Sequence, residues 1–172
     1  VLPGKPILKE LHLGGGTPSF FAPQNLEKLL NGISAGAIVP ADHDFGFEAP
    51  PANTTTEHLR TLHSLGFRRL SLGVQDFDDE ILRVINRLQT EEQVLAVTNA
   101  AREIGYTSIN YDLIFGLPFQ TLDHIERNME KISRLHPERI AFYSYAHVPW
   151  LKPSQRAYSE ADLPVGEAKR AL

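Results

Sequence analysis

Cysteine is absent from this sequence, and methionine and tryptophan occur once each. Without a thiol these residues form no disulfide, supply no thiolate nucleophile and ligate no cysteine-held metal cluster. No apolar run approaches the roughly 20 residues of a membrane span. The first ten residues, VLPGKPILKE, lack the uninterrupted apolar centre of a signal peptide. A cytoplasmic location without a membrane partner is the expectation. Charge of one sign is also scarce. Seventeen basic residues stand against 21 acidic ones, a net of -4, and no lysine or arginine run is long enough to track a phosphate backbone, so nucleic acid is not an expected partner. Linkers, short repeats and low-complexity stretches are missing too, which leaves one domain over residues 1–172, with 42% hydrophobic residues to build its core.

What is present is most informative between Leu13 and Phe21, LGGGTPSFF, where an apolar run leads into Gly14, Gly15 and Gly16. Glycine tolerates left-handed dihedrals and lets a ligand lie against bare main chain, at a cost of roughly 1 kcal/mol relative to alanine. Three in succession at a strand end predict a binding loop. A tight structural turn is the simpler alternative.

Periodicity predicts strands at 7–13, 44–48, 68–75, 107–114 and 139–145. Helices alternate with them. One opens at Pro23 with Leu26, Leu29, Leu30 and Ile33. A second is seeded by Thr54 to Thr56, carries Leu59, Leu62 and Leu65, and ends at Gly66. A third is capped by Asp78, and a fourth covers 91–104 and stops at Gly105. A fifth spans 121–135, with Ile125, Met129, Ile132 and Leu135 facing inward. Five strands with helical crossovers make an α/β protein with a parallel sheet. Polar residues recur where the strands end, at Thr17, Glu48, Gln75, Asp112 and His147, and α/β folds bind ligands at the carboxyl ends of their strands.

Four segments together, LHLGGGTPS, SLGVQDFDDEILRVINRLQ, NYDLIFGLPFQT and FYSYAHVPWLKPSQR, closely resemble the oxygen-independent coproporphyrinogen III oxidases, radical S-adenosylmethionine (SAM) enzymes of haem biosynthesis. The resemblance covers nearly the whole chain. It implies a partial TIM-like (β/α) barrel of about five parallel strands with outer helices, incomplete at both ends. It also implies a [4Fe-4S] cluster held by a CxxxCxxC loop in the full-length protein, not ligated by this chain. The first strand here corresponds to the family's second, so the chain reads as an internal piece of a longer enzyme.

By that resemblance Gly15, Gly16 and Thr17 hold the amino-acid end of SAM, and Glu48 is an acidic SAM contact, with EAPP in place of an E-V-D-P type segment. Gln75 supplies an amide to the ribose hydroxyls. Arg87 offers a planar guanidinium to the SAM carboxylate, a bidentate match that lysine lacks. Asp112 is a strand-end carboxylate for SAM, and Ala146 a backbone contact near adenine. No side chain of this chain is assigned as catalytic. The implied activity is oxidative decarboxylation of two propionates of coproporphyrinogen III to vinyl groups by SAM-derived 5′-deoxyadenosyl radicals, giving protoporphyrinogen IX. An electron donor for the cluster is implied as well, and this chain alone is expected to be inactive. The intact protein is expected to be a monomer, whereas unpaired sheet edges open a route to self-association of this piece.

Simpler roles exist for each residue. Arg87 could pair with Glu91 on the surface, and Gln75 or Asp112 could cap the following helix. His12 reads as core, His147 as a hydrogen-bonded packing residue and Trp150 as a loop anchor. Two alternatives compete at the level of function. One is a haem chaperone of the same fold that binds haem, which has VQSF where this chain has VQDF. The other is an unrelated α/β barrel whose glycine loop grips phosphate; the absence of a P-loop lysine and of a dinucleotide fingerprint counts against it.

Overall fold

The computed structural model describes residues 4–172, so residues 1–3 of the single-domain span lie outside it. Five strands, β1 (Glu10–Leu13), β2 (Asp44–Ala49), β3 (Phe67–Gln75), β4 (Ser108–Phe115) and β5 (Arg139–Ser144), form one sheet in the order β1-β2-β3-β4-β5. Every neighbouring pair is parallel. A spatial order equal to the chain order is that of consecutive barrel staves, because a doubly wound sheet reverses direction at its switch point.

The crossovers are α1 (Pro23–Ala35), α2 (Thr56–Ser64), α3 (Asp79–Val84) with α4 (Glu91–Ile104), and α5 (Leu122–Leu135); α6 (Gly166–Ala171) follows β5. Their ends are set locally. Thr55 and Thr90 accept from the backbone N–H groups of His58 and Gln93 in reciprocal capping boxes, and Asp78 accepts from Glu80 and Ile81. The first strand is shorter than the 7–13 expected. Ile7 makes only an isolated bridge to Ile38 before regular pairing begins at Glu10.

Strand alternation separates the two faces. Phe45, Phe47, Phe67, Leu70, Leu72, Ile109 and Tyr111 point under the helices and are buried against Leu59, Leu62, Val94 and Ala101. Each large side chain so buried stabilises the fold by about 1.5–3 kcal/mol. The other face is polar. Glu48 is in register with Ser71, Ser71 with Asn110 and Asn110 with Arg139, while Gly73 is in register with Asp112. The polar residues of this face, turned away from the helices, form the floor of a cavity.

One helix face differs from expectation. Met129 is 37% exposed, and Asn128 is buried in its stead. The Asn128 side chain accepts from the Phe77 N–H at 3.3 Å, so a polar contact to the β3–α3 turn takes the inward position.

Candidate functional site

Glu48 leaves the end of β2 directly beside the glycine run. His12 Nε2 donates to Glu48 Oε1 at 3.0 Å, and the Gly15 N–H donates to Glu48 Oε2 at 3.3 Å. A side chain at position 14 would displace this pair, since a Cβ there would stand 2.7 Å from Glu48 Oε1 and 2.9 Å from His12 Nε2. Gly15, at φ 75°, turns its amide toward the carboxylate through a left-handed conformation. The His12 bond holds the Glu48 carboxyl below its ordinary 4.5; burial opposes this and the Gly15 amide adds to it. Thr17 follows, its carbonyl accepting from Phe20 N–H in a short 3-10 turn. That turn is tied to the segment after β2 by the Thr54 hydroxyl, which donates to the Pro50 carbonyl of EAPP at 2.8 Å and can accept from Ser19 Oγ at 3.4 Å.

Asp112 stands two strands away on the same face. Ser71 Oγ donates to its Oδ2 at 2.9 Å and Asn110 Nδ2 to its Oδ1 at 2.8 Å. Burial pushes its carboxyl above the ordinary 3.8, the two hydrogen bonds work against that shift, and the Glu48 charge reinforces it. Glu48, Asp112, His12, Ser71, Asn110 and Arg139 together line a cavity of about 260 Å³.

Gln75 ends β3 in a strained conformation. Its φ is 67° and the Asp76 N–H closes onto the Val74 carbonyl at 2.8 Å, an i to i+2 turn of the rare positive-φ kind. The β3–β4 register slips there. The Gln75 amide nitrogen folds back to 3.1 Å from where a Gly73 Cβ would lie, which carries it over the position paired with Asp112. Arg87 is exposed, three residues beyond the end of α3. There its backbone N–H bonds Leu82 O while Asn86, at φ 58°, bonds Arg83 O, the paired bonds of a Schellman stop. Ala146 follows β5, and its carbonyl accepts from Gln155 Nε2 at 3.2 Å. The structure thus brings Glu48, Asp112 and the glycine loop together, lays Gln75 over their floor, and leaves Arg87 and Ala146 on loops outside the cavity wall.

The simpler roles do not account for these residues. Asp78, not Gln75, caps α3, and Thr121 forms the box at the start of α5. Glu91 pairs with Lys131 at 2.9 Å and with Arg134 at 3.8 Å; Arg87 is in no ion pair among the described residues. Three expectations need correction. His12 is not core; its side chain is half exposed because the polar face of β1 looks into the cavity. Trp150 is 69% exposed, so it is not a buried loop anchor. His147 does pack, against the rings of Tyr145 and Tyr158, but its buried Nδ1 has no hydrogen-bond partner among the described residues. His12, Ser71 and Asn110 were legible only as polar members of an alternating strand pattern, a signal easily assigned to solvent.

This donor set fits SAM. Carboxylates suit its ammonium group and ribose diol, an unpaired guanidinium suits its carboxylate, and the open backbone at Gly15 and Gly16, with nothing within 4 Å of either Cβ position, leaves room for a ligand against main chain. It does not fit an iron–sulfur cluster, whose ligands are cysteine thiolates, since this sequence has none.

Residues 3–132 match the Radical SAM superfamily. The chain is 42% identical over 158 residues to the oxygen-independent coproporphyrinogen III oxidase of Helicobacter pylori strain J99, covering 90% of this chain and 34% of the relative. It is 39% identical over 162 residues to the enzyme of the same name from Escherichia coli K12, covering 94% and 35%. The chain therefore spans about a third of the length of the curated relatives it matches. Among solved structures, the Escherichia coli coproporphyrinogen III oxidase, described as a radical SAM enzyme, superposes with a TM-score of 0.92 at 38% identity, over 96% of this chain and 38% of that one. The Elp3 protein of Methanocaldococcus infernus matches with a TM-score of 0.67 at 17% identity, over 86% of this chain and 41% of that one. That second likeness is one of fold alone.

Proposed function

The chain belongs to the Radical SAM superfamily, and on that footing we propose that it forms the SAM-binding wall of an oxygen-independent coproporphyrinogen III oxidase. The observation that carries this reading is the joint placement of Glu48 and Asp112 on one cavity floor, with the glycine loop bonded to Glu48. In the intact protein the substrate is coproporphyrinogen III, an electron donor serves the cluster, and the location is cytoplasmic. No helix among the described residues is long and apolar enough to cross a membrane.

Bound SAM supplies the radical chemistry by which two propionates become vinyl groups. The protein's own residues do the rest by placement. Glu48, kept ionised by His12, presents one oxygen face to the ligand's ammonium group beside the bare backbone of Gly15 and Gly16, with Thr17 closing the loop. Asp112 accepts from the ribose hydroxyls while Ser71 and Asn110 hold its orientation, and Gln75 adds a neutral amide to the same diol. Arg87 pairs with the ligand's carboxylate as a fork. Ala146 lends main chain to the adenine. Two carboxylates flank a cation-bearing ligand, so charge matching and not a proton transfer is what this wall contributes.

Equilibrium dialysis of the chain against isotope-labelled SAM tests the reading. Saturable uptake, displaced by unlabelled SAM and reduced in Glu48→Gln, is expected. Absence of saturable uptake, or stoichiometric haem binding in its place, overturns it.

A further inference from the structure

Three polar side chains lie almost fully buried beneath the mouth of the site without touching the cavity: Asp76, Gln120 and Gln89, at 1%, 3% and 6% exposure. Burying such groups is costly unless every one is bonded, and here every one is. Asp76 Oδ1 accepts from the N–H groups of Phe77 and Asp78 at 2.7 and 2.8 Å, and its Oδ2 accepts from Gln120 Nε2 at 2.7 Å. The Gln120 amide is pinned at its other end. Its Oε1 accepts from the N–H groups of Gly116 and Leu117 at 2.7 and 3.2 Å, and its Nε2 also donates to the Ile114 carbonyl at 3.1 Å. The β4–α5 loop folds Gln120 into this position by turning through positive φ at Gly116 and again at Phe119, a conformation a phenylalanine rarely adopts.

These contacts leave no freedom of polarity. Reversing the Gln120 amide would aim an NH₂ group at two backbone donors, so its nitrogen must face Asp76, and Asp76 must accept at both oxygens. The pair spans the ends of β3 and β4, one residue past the strained Gln75 turn. The Val74 carbonyl that closes that turn also accepts from Gln89 Nε2, two residues past Arg87.

We propose that Asp76, Gln120 and Gln89 are positioning residues: a latch in which Asp76 and Gln120 fix the Gln75 turn against β4, while Gln89 fixes the Arg87 loop against Val74. Its role toward the ligand rests on the SAM reading above; its role in holding the turn does not.

A polarity swap tests it. Asp76→Asn alone, or Gln120→Glu alone, sets donor against donor or carboxylate against carboxylate. The double variant D76N/Q120E restores the bond in reverse, at the cost of setting a carboxylate oxygen against the Ile114 carbonyl. Calorimetric titration with SAM is expected to show about tenfold weaker binding in each single variant and recovery to within about threefold in the double. Gln89→Leu is expected to weaken binding about tenfold as well, with faster amide exchange confined to residues 85–90. In the ligand-free chain, amide hydrogen exchange at residues 74–78 should accelerate in both single variants and slow again in the swap. If the parent chain binds no SAM, the SAM reading falls and the exchange data alone judge the latch. Unchanged exchange in the single variants, or a double variant no better than either single, overturns it. A thermal melt of each variant identifies folded protein, and equal SAM affinity across folded single variants also overturns the positioning role.

Discussion

His12 and Glu48 face each other across adjacent strands, with His12 Nε2 3.0 Å from Glu48 Oε1. The contact passes over Gly14 and leaves the second carboxylate oxygen to the Gly15 amide. It makes a histidine outside the family's SAM contacts the keeper of an acid proposed to be one of them.

Replacing His12 with alanine is expected to raise the Glu48 titration toward its ordinary value, followed by carboxyl-carbon NMR. A carboxyl held below its unfolded value stabilises the fold above that value, 4.5 for Glu48, and loses the contribution as pH falls through the lower folded value. The stability lost in His12→Ala should therefore be greatest above pH 4.5 and fade toward lower pH, which leaves the acid limb of its profile shallower than the parent's. An unmoved Glu48 titration would show that the pair carries no charge coupling.

Asp112 runs the other way. Burial raises its folded value above 3.8, so it favours folding at pH values below that figure and withdraws the contribution as pH rises through the raised value. Ser71→Ala removes one donor to the carboxylate and should raise the Asp112 titration further, carrying the loss of stability with rising pH to higher pH than in the parent. A lowered titration in Ser71→Ala would contradict the geometry.

Two glycine-to-alanine substitutions should have opposite effects. At Gly14 the new methyl meets the Glu48 and His12 side-chain tips at 2.7 and 2.9 Å, and SAM affinity is expected to fall about tenfold as the pair is pushed apart. At Gly32, inside α1, nothing lies within 4 Å of the new Cβ, and the gain is about 0.5–1 kcal/mol of stability. Denaturant melts and SAM titrations of both proteins check the contrast.

Arg87 is exposed and outside every ion pair among the described residues, so Arg87→Ala should leave the melting temperature within about 1 °C while weakening SAM binding by at least about tenfold. Arg87→Lys keeps the charge and loses the fork, and only partial recovery is expected. A dissociation constant equal to that of the parent in Arg87→Ala would remove the residue from the site.

How much of this could be read in advance differs from residue to residue. The alternation of Phe45 and Phe47 with Asp44, Gly46 and Glu48 was visible as a period of two, and the helical crossovers between strands made the sheet legible as parallel. The cap at Asp78 and the stop at Gly105 obey local rules as well. His12 misled because a lone histidine between two leucines has the same pattern whether its face meets core or cavity. Met129 misled because helical spacing places it beside Ile125 and Ile132, and only the Phe77 N–H, 51 residues before Asn128, decides that Asn128 turns inward.

The alternation of strands and helices, the glycine loop, the polar strand ends and the absence of any cluster ligand all follow from residue type and near-neighbour spacing. Which polar groups meet depends instead on the folded sheet. The His12–Glu48 bond, the Ser71–Asp112 bond and the Asp76–Gln120 latch join residues 36, 41 and 44 positions apart. Contacts of that range form because burial of the sheet's apolar face brings the strands into register, and the polar face is carried along with it.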